Sequence, residues 1–283
     1  MRRRRQGLRA GRSSGGEEAV RLRVAGWAEA SLVDVIGDVA FTIWFNYCDF
    51  RCPWCQNAHV VFARESREVT VGELLEAISD ASLLIGYVQA TGGEPTLQDE
   101  GLEALFRACK KELGVLTSLD TNGSRPEVIG RLLDGGLLDH VALDVKAPLS
   151  EPEKYGRVIG LPGRGEEMAE RVRASVRAVI ERAPYLEVRT TFVPTLLTPE
   201  DILAIAEELV DMGLEEHGRY VYVLQQFVPS GTLIDPAFAK VERPSPEFLL
   251  DLAGRVKRET GLSNIYVRAQ EIGVAKVGLT QPL

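Results

Sequence analysis

The chain has 283 residues, a net charge of −8, 45% hydrophobic residues and 26% charged residues. That length buries a sizeable core, in one large domain or two small ones, without disulfide staples, and the acidic balance argues against a general nucleic-acid binder. There is no run of about 18 apolar residues to span a membrane, and the basic start MRRRRQGLRAGRSSGGEEA lacks the apolar core of a secretory signal, so the chain is expected in the cytoplasm, where thiols stay reduced.

Residues 1–22 are rich in Arg, Gly and Ser, have no apolar period and read as a disordered tail, leaving 23–283 as one domain. VAFTIW, from Val39 to Trp44, is a β-branched and aromatic run that reads as a strand feeding the loop FNYCDFRCPWCQN. TVGELLEAISDAS has helical spacing, with Thr70 as cap and Glu73 three residues on. LIGYVQATGGEP reads as a strand ending in a glycine turn, LEALFRACKKEL as a helix, VLTSLDTNG as a strand and turn, and PEVIGRLLDGG as a helix. HVALDVKAP is the next strand, Glu166 to Arg182 a helix, and LEVRTTFVP a strand. TPEDILAIAEELVDMG is a capped helix and YVYVLQQFVP a strand, and a helix over about Pro246 to Glu259 precedes the strand NIYVRA. This alternation predicts parallel β/α units, and about six or seven of them fit a full or partial β/α barrel. In such barrels the reactive groups sit at the C-terminal strand ends. The cysteine loop, GGEP, DTNG, DVK, RTT and QQF all fall there, so they are expected to converge on one mouth. The closing AQEIGVAKVGLTQPL is too short for a substantial lid, so that mouth is expected to be uncovered.

Three of the four cysteines, Cys48, Cys52 and Cys55, lie in the one loop, spaced C-x3-C-x2-C. In a reducing compartment this points to metal or redox chemistry, and soft thiolates select zinc or iron–sulfur clusters. A structural zinc wants four ligands, and His59 would complete C-x3-C-x2-C-x3-H. The other reading is a 4Fe–4S cluster held by three cysteines, which leaves one iron open for a substrate or cofactor. Cys109 shares a helical face with Leu102, Leu105, Phe106 and Leu113 and reads as a core thiol.

The C-x3-C-x2-C spacing with Trp54 before the third cysteine, followed by TGGEPTLQ (Thr91 to Gln98), resembles the radical S-adenosylmethionine (SAM) superfamily. LDTNG, LDVKAP, VRTTFVP and LQQF resemble its glycyl-radical-enzyme activase branch, most of all the anaerobic ribonucleoside-triphosphate reductase activating proteins, over about Gly26 to Ile265. The resemblance implies a partial (β/α)6-type barrel, one 4Fe–4S cluster on Cys48, Cys52 and Cys55, and SAM bound to the open iron. It implies that Trp54 lies near the adenine with Gln56 beside it, although many relatives have His at the latter position. Gly92, Gly93 and Glu94 match the motif that engages the amino group of SAM, and Asp144 and Lys146 the Asp-x-Lys pair that contacts ribose and carboxylate. Asp120 and Thr121 resemble the place where some activases hold a monovalent cation. Arg189 offers a planar fork for a carboxylate, and Gln225 or Gln226 stands where relatives have His. Each of these also has an ordinary reading: Asp120 as a turn former, Arg189 as the partner of a core acid, and Asp144 with Lys146 as a plain ion pair on one face of a strand.

The implied function is activation of a glycyl radical enzyme, an anaerobic ribonucleotide reductase, with a flavodoxin- or ferredoxin-type electron donor. The alternative is a radical SAM enzyme acting on a small molecule or a tRNA base, and a non-enzymatic alternative is a zinc-stabilised scaffold or an electron-transfer module. No second C-x2-C motif is present, which disfavours auxiliary-cluster chemistry. RVIGL (Arg157 to Leu161) faintly resembles the radical-bearing loop of glycyl radical enzymes, but Leu161 replaces the aromatic residue and the chain is too short to carry that enzyme too.

Overall fold

The structure, a computed structural model, describes residues 16–229 and 232–278. An antiparallel pair, β1 (Arg21–Ser31) and β2 (Ala40–Phe45), comes first. The cysteine loop follows β2 and leads through the short α1 (Ala58–Val61) to β3 (Arg67–Thr70) and α2 (Val71–Ala81). Next come β4 (Tyr87–Gly92), α3 (Asp99–Ala108), which runs on into a π-helical turn at Cys109–Leu113, β5 (Leu116–Thr121), α4 (Pro126–Asp134) and β6 (His140–Asp144). Two helices, α5 (Pro152–Val158) and α6 (Gly165–Arg182), lead to β7 (Leu186–Phe192), and α7 (Pro199–Asp211) to β8 (Tyr220–Gln226). The described chain closes with α8 (Pro246–Thr260), β9 (Ile265–Ala269) and β10 (Gly273–Lys276).

All ten strands form one sheet in the order β10-β9-β8-β7-β6-β5-β4-β2-β1-β3. From β2 through β9 every neighbouring pair is parallel, while β1, β3 and β10 add antiparallel strands at the two edges. The edge strands β3 and β10 do not pair with each other, so the barrel is partial. The parallel strands read as nearly continuous buried runs, as they must when helices cover one face and the barrel interior the other. Three helices, α2, α7 and α8, start where a side chain accepts from a free N–H group, Ser245 doing so for α8. Thr70 and Glu73 close a capping box on α2, and Thr198 and Asp201 close one on α7. Cys109 is fully buried among core residues, as the helical pattern predicts. Among the described residues no helix is long and apolar enough to cross a membrane.

The chain pattern misses β1, β3, β10, α5 and the four-residue α1. The first of these is interrupted by register shifts around Gly26 and Ser31, β3 and β10 are four residues each, and α5 spans seven. None is long or regular enough to show a clear period. Residues 1–15 of the expected tail lie outside the described residues. Its last two, Arg21 and Leu22, are strand residues paired with Thr70 and Val69, and Leu22 is buried.

Candidate active site

The sheet aligns the C-terminal ends of its parallel strands around a cavity of about 680 Å³. Cys48, Cys52 and Cys55 all line it, and so do Asp120, Asp144, Lys146 and Arg189 from three further strand ends. Residues scattered over most of the chain therefore meet at one place, as their positions after successive strands predict.

The cysteine loop is held by main-chain bonds from several sides. The Gly93 N–H donates to Phe45 O (2.8 Å) and the Glu94 N–H to Tyr47 O (2.7 Å). Glycine is required at this turn. A Cβ on Gly93 would stand 1.8 Å from Tyr47 O, and Gly92 has φ +114° with Phe45 N only 2.6 Å from where its Cβ would lie. From another side, the Arg51 N–H donates to Ile159 O (2.8 Å) and the Trp54 indole N–H to Val158 O (3.0 Å). From a third, the segment after β8 lies over the loop: the Ile234 N–H donates to Cys55 O (3.1 Å), the Asp235 N–H to Pro53 O (2.9 Å) and the Thr232 hydroxyl to Gln56 O (2.6 Å). Neither of the last two anchors was expected from the sequence, because main-chain contacts between distant segments leave no residue signature.

Burial raises all three loop thiols, Cys52 to about 12, so the empty-handed loop holds neutral sulfurs and only a bound cation makes them thiolates. Among the described residues no three His, Cys, Asp or Glu side chains gather closely enough to hold a single metal ion, and His59 does not line the cavity. The four-ligand zinc arrangement is thus not assembled. Three thiols spread along one cavity wall, with the fourth cysteine buried elsewhere, fit the wider span of an iron–sulfur cluster.

Opposite in character is the charged group made by β5, β6 and β7. The Lys146 ammonium donates to Asp144 Oδ2 (2.8 Å) and stands 5.3 Å from the centre of the Trp54 ring. Burial opposes its charge, but the paired Asp144 carboxylate outweighs burial and holds it protonated. Lys146 lies just past β6 rather than within it, yet the pair shares one face as expected. The Thr91 hydroxyl donates to Asp120 Oδ2 (2.8 Å). Arg189 follows the plainer of its two sequence readings, the partner of an acid, and not the fork for a ligand carboxylate. Its guanidinium pairs with Asp120 and with Asp144 Oδ1 (3.1 Å), so the fork is filled by the protein's own carboxylates. Burial and the nearby Arg268 charge lower it to about 9, which leaves it a cation at neutral pH.

Glu94 departs from its reading. It is fully buried, is not among the cavity-lining residues, and accepts from the Thr96 N–H (3.1 Å), the Thr121 hydroxyl (2.8 Å) and the Asn122 N–H (2.7 Å). Burial and the Asp49 charge lift its carboxyl to about 7 despite those donors. Its side chain knits the GGE turn to β5 instead of facing a ligand. Asp120 and Thr121 do not fit a cation, since the carboxylate is taken by Arg189 and the hydroxyl by Glu94. Trp54, Gln56, Gly92 and Gly93 line the cavity. Gln225 does too, and accepts from Arg268 (3.0 Å). Gln226 is committed to Pro244 O, Glu271 and the Gln270 N–H. Among the lining residues that went unread in the sequence are Asn122, which donates to Asp49 (2.9 Å) and reaches Cys48 Sγ (3.6 Å), and Arg268. An asparagine inside an Asn-Gly pair looks like a turn, and an arginine on a late strand looks like surface.

The family model described as the Radical SAM superfamily matches residues 42–193. A candidate glycyl-radical enzyme activating enzyme of Methanocaldococcus jannaschii is 31% identical over 245 residues, covering 87% of this chain and 95% of that protein. The pyruvate formate-lyase 1-activating enzyme of Escherichia coli K12 is 37% identical over 131 residues, 44% of this chain and 52% of that protein. Among solved structures, the radical S-adenosylmethionine methyltransferase TsrM of Kitasatospora setae superposes with a TM-score of 0.50 at 15% identity, covering 70% of this chain and 37% of that one. At that identity the likeness concerns the fold alone.

Proposed function

The chain belongs to the radical SAM superfamily, and from that premise we propose that it is an activase that installs a glycyl radical on a partner enzyme, an anaerobic ribonucleotide reductase. The observation that carries this reading is the set of three cysteine thiols on the wall of a cavity that Asp144 and Lys146 also line. The sequence likeness to activating enzymes, which in one case spans nearly the whole relative, supports the activase branch.

In this reading Cys48, Cys52 and Cys55 would hold one 4Fe–4S cluster, leaving an open site at which SAM would bind. When bound, cluster and SAM supply one-electron chemistry that ends in hydrogen abstraction from the substrate. The chain's own residues bind and orient. The Trp54 ring, fixed by its N–H on Val158 O, offers a flat face to the adenine, with Gln56 beside it. Gly92 and Gly93 bring bare backbone to the cavity, where side chains would block the approach of the amino group. Asp144 and Lys146 contact the ribose and carboxylate of SAM, and Gln225 faces the same space. Arg189 acts through its neighbours: by pairing with both Asp120 and Asp144 it fixes the aspartate that the ligand needs. A monovalent cation beside SAM has little support, because Asp120 is already neutralised.

A partial barrel with unpaired edge strands leaves room for a loop of a macromolecule to enter, which suits a glycine-bearing partner. The reduced protein, SAM and the reductase encoded in the same genome are expected to give a glycyl radical doublet in electron paramagnetic resonance. SAM cleavage without any doublet would redirect the assignment to a small molecule or a tRNA base.

A further inference from the structure

The loop that carries the three cysteines has two sides. One lines the cavity; the other faces outward and presents Tyr47, Arg51, Phe62 and Arg64, none of which lines the cavity. Phe62 is 42% exposed and Tyr47 38%, unusual for aromatic side chains so close to a buried site. The Phe62 ring carries two guanidinium groups, Arg51 at 5.4 Å and Arg64 at 5.5 Å from its centre. The Tyr47 hydroxyl accepts from Arg23 (2.9 Å). Arg51 also donates to the carbonyls of Cys48 and Phe50, so the patch is joined directly to the first cysteine.

This face is cationic in a chain whose net charge is −8. Among the described residues no carboxylate pairs with Arg51, Arg64 or the exposed Arg157, which lies on the segment that anchors Arg51. Of the acids nearby, Asp49 is held by Asn122, and Glu68 pairs with Arg21 and Arg23, while Glu65 lies next to Arg64 in the chain. Unpaired arginines around an exposed ring are the composition of an interface centre rather than of an inert surface.

We propose that this face is the docking surface for an acidic one-electron carrier protein. The inference rests on the radical SAM reading above. That chemistry consumes one electron per SAM cleaved: the carrier is oxidised by one electron, the cluster is reduced by one, and no proton or atom moves between them. SAM and the substrate fill the cavity side, so the electron enters from the outer side of the same loop, where the carrier comes nearest the cysteines. A small cationic patch with one or two exposed aromatics fits the weak, fast encounters of electron transfer, which bury less than about 1,200 Å². Opposite charge on the carrier speeds its arrival, and the rate falls as salt is added.

The test uses cluster-loaded full-length protein, the Arg64→Glu/Phe62→Ser double variant and, independently, Arg157→Glu. SAM cleavage is driven either by dithionite or by a reduced acidic flavodoxin as probe, and binding of the oxidised flavodoxin is followed by NMR line broadening. With dithionite the variants should match the parent within about twofold, because a small reductant needs no docking surface. With flavodoxin the double variant should be slower by roughly tenfold or more, should lose the salt dependence of the parent, and should no longer broaden the flavodoxin spectrum. Equal flavodoxin-driven rates in parent and variants would overturn the proposal. So would a parallel loss with dithionite, or a defect confined to glycyl-partner activation or to RNA binding. If the parent itself fails to cleave SAM with dithionite, the radical SAM reading falls first and this surface with it.

Discussion

His140 shows how much one buried side chain decides. It is fully buried, with Nδ1 hydrogen-bonded to Ser118 Oγ (2.8 Å) and Nε2 turned toward Glu187 Oε2 at 4.0 Å. Burial, helped by the Arg268 and Arg219 charges, lowers the imidazole to about 3, so it is neutral in the folded chain. Between that value and the ordinary imidazole range the unfolded chain binds the extra proton. Stability from this residue is therefore complete above about pH 6.5 and is lost as pH falls, by about 1.4 kcal/mol per unit. Glu187 runs the other way: burial lifts its carboxyl to about 7, so ionising it as pH rises toward that value costs stability. In the cluster-free chain, His140→Asn is expected to flatten the acid limb of urea unfolding between about pH 4 and 6.5. An unchanged acid slope would mean that the imidazole is already charged in the fold. Ser, His and Glu in one row look like a catalytic set, but all three are sealed from solvent and from the cavity.

At the scale of elements, the segment joining α5 to α6 matters more than its sequence suggests. RVIGL looks like a radical-bearing loop, yet its glycine serves the cysteine loop. Gly160 has φ +71°, and a Cβ there would stand 1.9 Å from Arg51 O. Val158 and Ile159 just before it accept from Trp54 and Arg51. Gly160→Ala must push the backbone between Cys48 and Cys52 out of place, because neither the carbonyl nor the left-handed φ can yield cheaply. The expected outcome is several-fold less iron retained after anaerobic reconstitution, with far-UV circular dichroism unchanged. Full iron loading in this variant would show that the latch is dispensable. The regular elements, in contrast, were legible beforehand. The capping box of α2, the Pro199 start of α7 and the apolar stripe of α3 are local signals carried by neighbouring residues. The short strands β3 and β10 exist only because a partner strand is already in place.

For the whole molecule, ligand binding and stability are one quantity. Because the residues proposed to contact SAM come from β4, β6 and β8 as well as the cysteine loop, SAM bound there would tie several elements together. At a hundredfold excess over its dissociation constant, SAM should add about 2.7 kcal/mol to the cluster-loaded chain. Lys146→Met, which removes a charged partner, should weaken that binding by on the order of 1.5–3 kcal/mol. Anaerobic calorimetry reads both, and the cluster-free chain should show much less of the SAM effect. Equal stabilisation with and without the cluster would separate SAM from the cysteine loop. The sequence by itself determined the β/α alternation of the parallel strands, the three-cysteine loop and the family, because each is written in local period, spacing or short motif. Only the tertiary structure decided which polar groups are free to act. Glu94 and Arg189 carry the right chemistry, but the packing of β4, β5 and β7 spends the first on Thr96, Thr121 and Asn122 and the second on Asp120 and Asp144. Apart from Thr96, those partners lie tens of residues away in other parts of the sheet, and a hydrogen bond across a sheet has no signature in the chain that makes it.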